Sequence, residues 1–124
     1  MDNFSTEGKE FIPTIDFNAH DGKLNISGNS FHEDTTSFYG PVMSWLKRYI
    51  EETYQPTTFN FNMTYFNTTV SKVFLQIIRL LETYKGTVVV NWYYAPDDDD
   101  MKEDGENLAA ETELEFHLIA LEEN

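Results

Sequence analysis

Residues 58–81, TFNFNMTYFNTTVSKVFLQIIRLL, carry the clearest apolar–polar pattern in the chain. The first half alternates. Phe59, Phe61, Met63 and Tyr65 fall on one side and Asn60, Asn62 and Thr64 on the other, the period of a strand with one apolar face. From Val70 the period lengthens. Val70, Val73, Phe74, Ile77, Ile78, Leu81 and Tyr84 recur at helical spacing, so one broad stripe of a helix is expected to face a core. The change falls at Asn67-Thr68-Thr69, which places two hydroxyls where a strand ends and a helix begins.

The flanking segments follow the same logic. Residues 1–10 are polar and read as a loose N-terminal segment. Ile15 and Phe17, then Leu24 and Ile26, alternate on either side of an Asp21-Gly22 turn signal and read as a hairpin. Gly28-Asn29-Ser30 breaks that pattern, and residues 31–37 read as a loop carrying His32, Glu33 and Asp34. A helix with Pro41 in its first turn follows, its apolar stripe formed by Val42, Trp45, Leu46, Tyr49 and Ile50. It is expected to stop by Tyr54, before Pro56. Residues 87–94, TVVVNWYY, lack strict alternation and suggest a central strand buried on both faces. Residues 95–104 read as an acidic loop, 101–110 as a short helix and 112–120 as a last strand. The predicted order is β-β-α-β-α-β-(α)-β. It specifies an α/β fold in a single domain spanning 1–124, with a mixed sheet of about five strands and the main helices on one face.

Composition narrows the function. Among 124 residues, 22 are acidic and 8 basic, a net charge of −14. Such a chain repels phosphate backbones and anionic membranes, and a partner with a basic surface suits it better. Ten Phe, seven Tyr and two Trp supply a core. With no cysteine, disulfides, thiolate catalysis and zinc–thiolate sites are excluded. No signal-peptide pattern opens the sequence, and no apolar run approaches the ~20 residues that span a bilayer. A cytoplasmic protein is expected.

Little in the chain points to catalysis. His20, His32 and His117 are scattered, and no nucleophile elbow, P-loop or dinucleotide-binding glycine motif is present. The acidic 97–106 loop invites a small-ligand or divalent-metal reading. In an EF-hand register, however, Lys102 would occupy a position that needs an oxygen ligand, and a strand precedes the loop instead of a helix. No metal and no cofactor are expected. The helix start at Asn67-Thr68-Thr69 is the remaining candidate. A Thr there can cap the helix, stabilising it by about 1 kcal/mol. A phosphate on the same hydroxyl would meet free N–H groups and the positive end of the helix dipole. Lys72, four residues after Thr68, is placed to add a counter-charge. The residues alone leave capping and modification both open.

Several blocks, taken in order, carry a further signal: TIDFNAHDGKLNISGNSFHED, PVMSWLKRYI, MTYFNTTVSKVFLQIIRLLE, VVVNWYYAPDDDDMKEDGE and the closing strand. From Thr14 to Phe116 the sequence resembles the SiaC family of bacterial biofilm-regulation phosphoproteins. The resemblance implies a fold similar to the STAS domains of anti-sigma-factor antagonists. It also implies a non-enzymatic switch, phosphorylated by a partner protein kinase and dephosphorylated by a metal-dependent Ser/Thr phosphatase. The unphosphorylated form would bind and activate a diguanylate cyclase. The family's acceptor is the Thr directly after Asn in an Asn-Thr-Ser motif, which maps onto Thr68. Here Thr69 replaces the usual Ser and is the second choice. Asn67, Thr69, Ser71 and Lys72 are expected to line the same partner-binding surface.

Overall fold

A computed structural model of the chain describes residues 1–122. The strands are β1 (Phe4–Thr6), β2 (Thr14–Asn18), β3 (Lys23–Ser30), β4 (Thr57–Phe66), β5 (Val88–Tyr94) and β6 (Glu115–Ala120). The helices are α1 (Thr35–Glu52), α2 (Thr68–Glu82) and α3 (Asp99–Ala110). The sheet runs β1-β2-β3-β4-β5-β6. The first three strands are antiparallel neighbours, and β3 to β6 are parallel.

This order explains the layering. Each parallel crossover carries one helix, and such crossovers take the same hand. Because the strand order never reverses, all three helices lie on one face. That face holds the core: Phe17, Leu24, Ile26, Phe59, Phe61, Val90 and Trp92 point into it, fully buried or nearly so. The opposite face carries a polar ladder in which Asn91 Nδ2 donates to Asn60 Oδ1 at 3.0 Å and Asn60 Nδ2 to Asn25 Oδ1 at 2.8 Å. These side chains satisfy one another and keep an uncovered sheet face polar.

The structure corrects several expectations. The sheet has six strands where about five were predicted. The extra one comes from the N-terminal segment predicted to be loose: Phe4 pairs with Phe17, Asn3 Oδ1 accepts from Ala19 N at 2.8 Å, and Trp45 Nε1 donates to Asp2 O at 2.9 Å. Three residues with one aromatic among them show no readable period. Helix α1 begins before Pro41, because Asp34 caps it by accepting from Ser37 N at 3.0 Å. Strand β5 is buried on one face only, since Val89, Asn91 and Tyr93 lie on the side no helix covers. The acidic run belongs to a helix terminus: Asp98 caps α3, and Asp99 and Asp100 occupy its first turn, where the helix dipole favours carboxylates.

One local irregularity positions the candidate site. The β3–β4 register pairs Gly28 with Met63 and then Asn29 with Tyr65, so Thr64 is an extra residue on β4. Gly28 sits at φ 98°, a conformation open to glycine and strained for other residues. A bulge of one residue reverses the facing of everything after it. Tyr65, predicted to share the apolar face of Phe59, is 54% exposed. Phe66 turns inward instead, its ring 5.0 Å from Phe74 and 5.8 Å from Trp92.

Candidate functional site

The N-termini of α1, α2 and α3 all lie at the C-terminal edge of the parallel strands, as the crossover geometry requires. Each is capped by an acid or amide: Asp34, Asn67 and Asp98. At the middle one, Asn67 Oδ1 accepts from Val70 N at 3.0 Å, and Asn67 O accepts from Ser71 N at 3.1 Å. Asn67 N donates to Ser30 O at 3.3 Å, which ties the start of α2 to the end of β3. Beneath, the Ser30 and Tyr39 hydroxyls share a buried hydrogen bond of 2.7 Å. Burial pushes the Tyr39 phenol up to about 12, the bond to Ser30 opposing it, so this support is neutral throughout the ordinary pH range.

Thr68 is therefore the first residue of the helix and not its cap. The capping that Thr68 or Thr69 was considered for falls to Asn67, whose side-chain carbonyl accepts from the N–H three residues on. Among the described residues the Thr68 hydroxyl and the N–H groups of Thr68 and Thr69 have no hydrogen-bond partner. Thr68, Thr69 and Lys72 are exposed, and Asn67 and Ser71 are half-buried. Removing the cap tests this assignment. Asn67→Ala is expected to lower stability by about 1 kcal/mol, with a melting temperature down by several degrees in thermal denaturation, while Thr68→Ala changes it little.

The two threonines are not equivalent. Successive helical residues turn by about 100°, so Thr68 shares a flank with Ser71 and Leu75, and Thr69 lies on the other. Ser71 Oγ donates back to Thr68 O. Ser71 and Leu75 also line a cavity of about 270 Å³ between α2 and α3, together with Phe66, Phe74, Trp92, Asp104 and Glu111. Thr68 thus stands on the flank that leads into this cavity.

On the sheet side of the same corner, Tyr65 packs edge-on against Phe31 at 5.5 Å, and Phe31 against Phe11 at 5.1 Å. Phe11 is 48% exposed. Sequence reasoning missed both this aromatic patch and the cavity. Their residues come from separate elements, and Tyr65 and Phe66 are sorted between them by the bulge.

The helix α3 wall has an electrostatic signature. Partial burial, then the neighbouring carboxylates of Asp100, Glu103 and Asp98, push the Asp104 carboxyl above its ordinary value of 3.8. A raised carboxyl pKa means that the folded chain holds this proton more tightly than the unfolded chain. The destabilisation is then fully present above the raised value and disappears as pH falls through it to below 3.8. Asp104→Asn should melt slightly above the parent at neutral pH, and the difference should close on acidification through the carboxylate range.

Among the described residues no three His, Asp or Glu side chains converge as a metal site, and no helix is long and apolar enough to cross a membrane.

Comparison with known proteins agrees with the fold. An uncharacterized protein of Pseudomonas aeruginosa (strain UCBPP-PA14) is 25% identical over 126 residues, covering 99% of this chain and 100% of the relative. The crystal structure of apo-SiaC from Pseudomonas aeruginosa superposes with a TM-score of 0.87 at 25% identity, covering 97% of this chain and 100% of that one. SiaC in the crystal structure of the diguanylate cyclase SiaD with its activator SiaC, from the same organism, gives a TM-score of 0.89 at 24% identity, covering 95% and 99%. Residues 6–121 match the family described as SiaC family regulatory phosphoprotein. With nearly its whole length matched, the chain belongs to the SiaC family.

Proposed function

We propose that this protein is a non-enzymatic, cytoplasmic phospho-switch whose acceptor is Thr68. In this reading a partner protein kinase phosphorylates Thr68 and a metal-dependent Ser/Thr phosphatase reverses it. The unmodified form binds and activates a diguanylate cyclase and so regulates cyclic-di-GMP and biofilm formation. The observation that carries the reading is the exposed, unbonded Thr68 hydroxyl at the open end of α2, in a member of a regulatory phosphoprotein family. The complex of SiaD with its activator SiaC supports a cyclase as the effector.

The chemistry follows from charge. The unmodified corner offers a neutral, exposed Thr68 at the start of α2, three residues after the exposed Tyr65, and a neutral polar surface of this kind suits a protein interface. Phosphorylation adds about −1.5 to −2 charges and three acceptor oxygens at one point. The free N–H groups of α2 receive that charge, so the helix keeps its structure. A partner that packs against the neutral corner must then desolvate a dianion. ATP binding and proton abstraction are assigned to the kinase. Asn67, Thr69, Ser71 and Lys72 frame the contact.

Phosphosite mapping by mass spectrometry on protein from its native cells tests the reading. Phosphate on Thr68 in the parent, and none on the chain in Thr68→Ala, is the expected result. A chain that remains unmodified under every growth condition, or one modified at Thr69 with Thr68 bare, would overturn the assignment.

A further inference from the structure

We propose that α3 is a latched flap: it opens as a unit while the sheet stays paired, and Arg79 of α2 sets how often. Opening bares an aromatic surface centred on Trp92. The proposal stands apart from the switch reading, because it needs no modification of Thr68.

The helix is weakly made. Asp99 and Glu103, and likewise Asp100 and Asp104, set like charges one turn apart on its surface. Gly105, in its interior, favours a helix less than any residue but proline. The crowding registers at Asp104, where partial burial and then the carboxylates around it hold the proton above its ordinary value.

The helix is also held along a single line. Only Met101, Gly105 and Leu108 are buried, at spacings of four and three that make one stripe. That stripe rests on Trp92, whose Nε1 donates to Met101 O at 2.9 Å, and Gly105 lies so close that a Cβ there would meet the indole. On the flank toward α2 the cavity takes the place of helix–helix packing, with Phe66 and Phe74 in its lining.

The latch is at the far end. Asp98 caps the front of α3 with its own side chain, accepting from Met101 N at 3.0 Å. The last turn, in contrast, carries no basic residue to meet its free carbonyls and negative dipole. Arg79 supplies that cation from α2: Nη1 donates to Glu111 O at 2.8 Å, and Nη2 lies 3.3 Å from Glu111 Oε2. Glu82, one turn on, holds Arg79 at 3.2 Å and accepts from Thr112 Oγ1 at 2.7 Å. Among the described residues no other side-chain hydrogen bond joins α2 to α3 or to the turn that follows it. Exposed pairs of this kind are individually weak, which suits a contact that must release.

With α3 lifted, one surface loses its cover. Trp92 and Phe74 are each 1% exposed in the closed form. Their rings stand 6.3 Å apart, with Phe66 at 5.8 Å from Trp92. The flap therefore withholds an aromatic contact surface until Arg79 lets go.

Hydrogen exchange on the full chain, followed residue by residue by NMR, tests the proposal. The Trp92 indole proton and the backbone amides of residues 103–109 report the flap, and the amides of β4 and β5 report the sheet. In the parent, the flap group should share one opening and exchange at least about 100-fold faster than the sheet group, relative to intrinsic rates, with a smaller dependence on urea. Arg79→Met keeps the stem and removes the donors, and it should speed flap exchange about fivefold relative to the sheet. Arg79→Lys restores the cation and should recover part of that change. Flap and sheet protons with the same protection and the same urea slope would overturn the proposal. So would an Arg79→Met protein in which flap exchange is unchanged, or is faster by the same factor as in the sheet. The parent measurement decides the flap by itself, so the test holds even for a variant that folds poorly.

Discussion

Thr68→Asp will keep the parent's fold and melt at or slightly above the parent's temperature, yet under the proposed switch it will bind a diguanylate cyclase about 30-fold more weakly. The two halves have different causes. A carboxylate in the first turn of a helix is favoured by the dipole, typically by about 0.3–1 kcal/mol. Thr68 is exposed, so no packing is lost. At an interface the same carboxylate must be stripped of water with no cation opposite, a cost of about 2 kcal/mol, which corresponds to about 30-fold in affinity. Thr68→Ala removes only a hydroxyl and should bind like the parent. Calorimetry of the three proteins with the cyclase separates these outcomes. A Thr68→Asp protein that binds as tightly as Thr68→Ala would remove the charge mechanism, whatever happens in cells.

Gly105→Ala tests the packing that shapes the cavity, and here two effects oppose. Alanine is the better helix former, by about 1 kcal/mol in a helix interior. A methyl group built on Gly105, however, would collide with Trp92 Cδ1 and stand 2.6 Å from Leu118 Cδ2 and 2.7 Å from Trp92 Nε1. Trp92 has little room to retreat, with Phe61 at 5.2 Å, Phe66 at 5.8 Å and its N–H bound to Met101 O. Overpacking of this kind costs about 1–3 kcal/mol or more, so the clash wins and α3 lifts. The expected net loss is about 2 kcal/mol, seen as a melting temperature lower by roughly 5–10 °C. An unchanged or raised melting temperature would mean that α3 is not seated on Trp92 as described.

Much of this architecture is written in local pattern. The strand-to-helix change at Asn67-Thr68-Thr69 is fixed by periodicity, because burying one face of β4 and one stripe of α2 demands those spacings. Chain order and a constant crossover hand then place the helices on one face. The SiaC likeness, carried by motif order, pointed to the family to which the chain belongs, and the Thr68 acceptor it implies is the proposal made above.

What the pattern left out required distant partners. Residues 1–10 show no period, and β1 exists because β2 offers an edge and α1 offers Trp45. Asn67 became the cap only once the helix start was set by the end of β3. The acidic run read as a loop because charge pattern carries no direction; the dipole of α3 gives it one. Above all, the alternation through Tyr65 ran straight on in the sequence. A bulge against Gly28, in a strand more than thirty residues earlier, turned Tyr65 out to the aromatic patch and Phe66 in to the cavity wall. Spacing along one chain decides which residues share a face; only pairing between strands decides where that rule is interrupted.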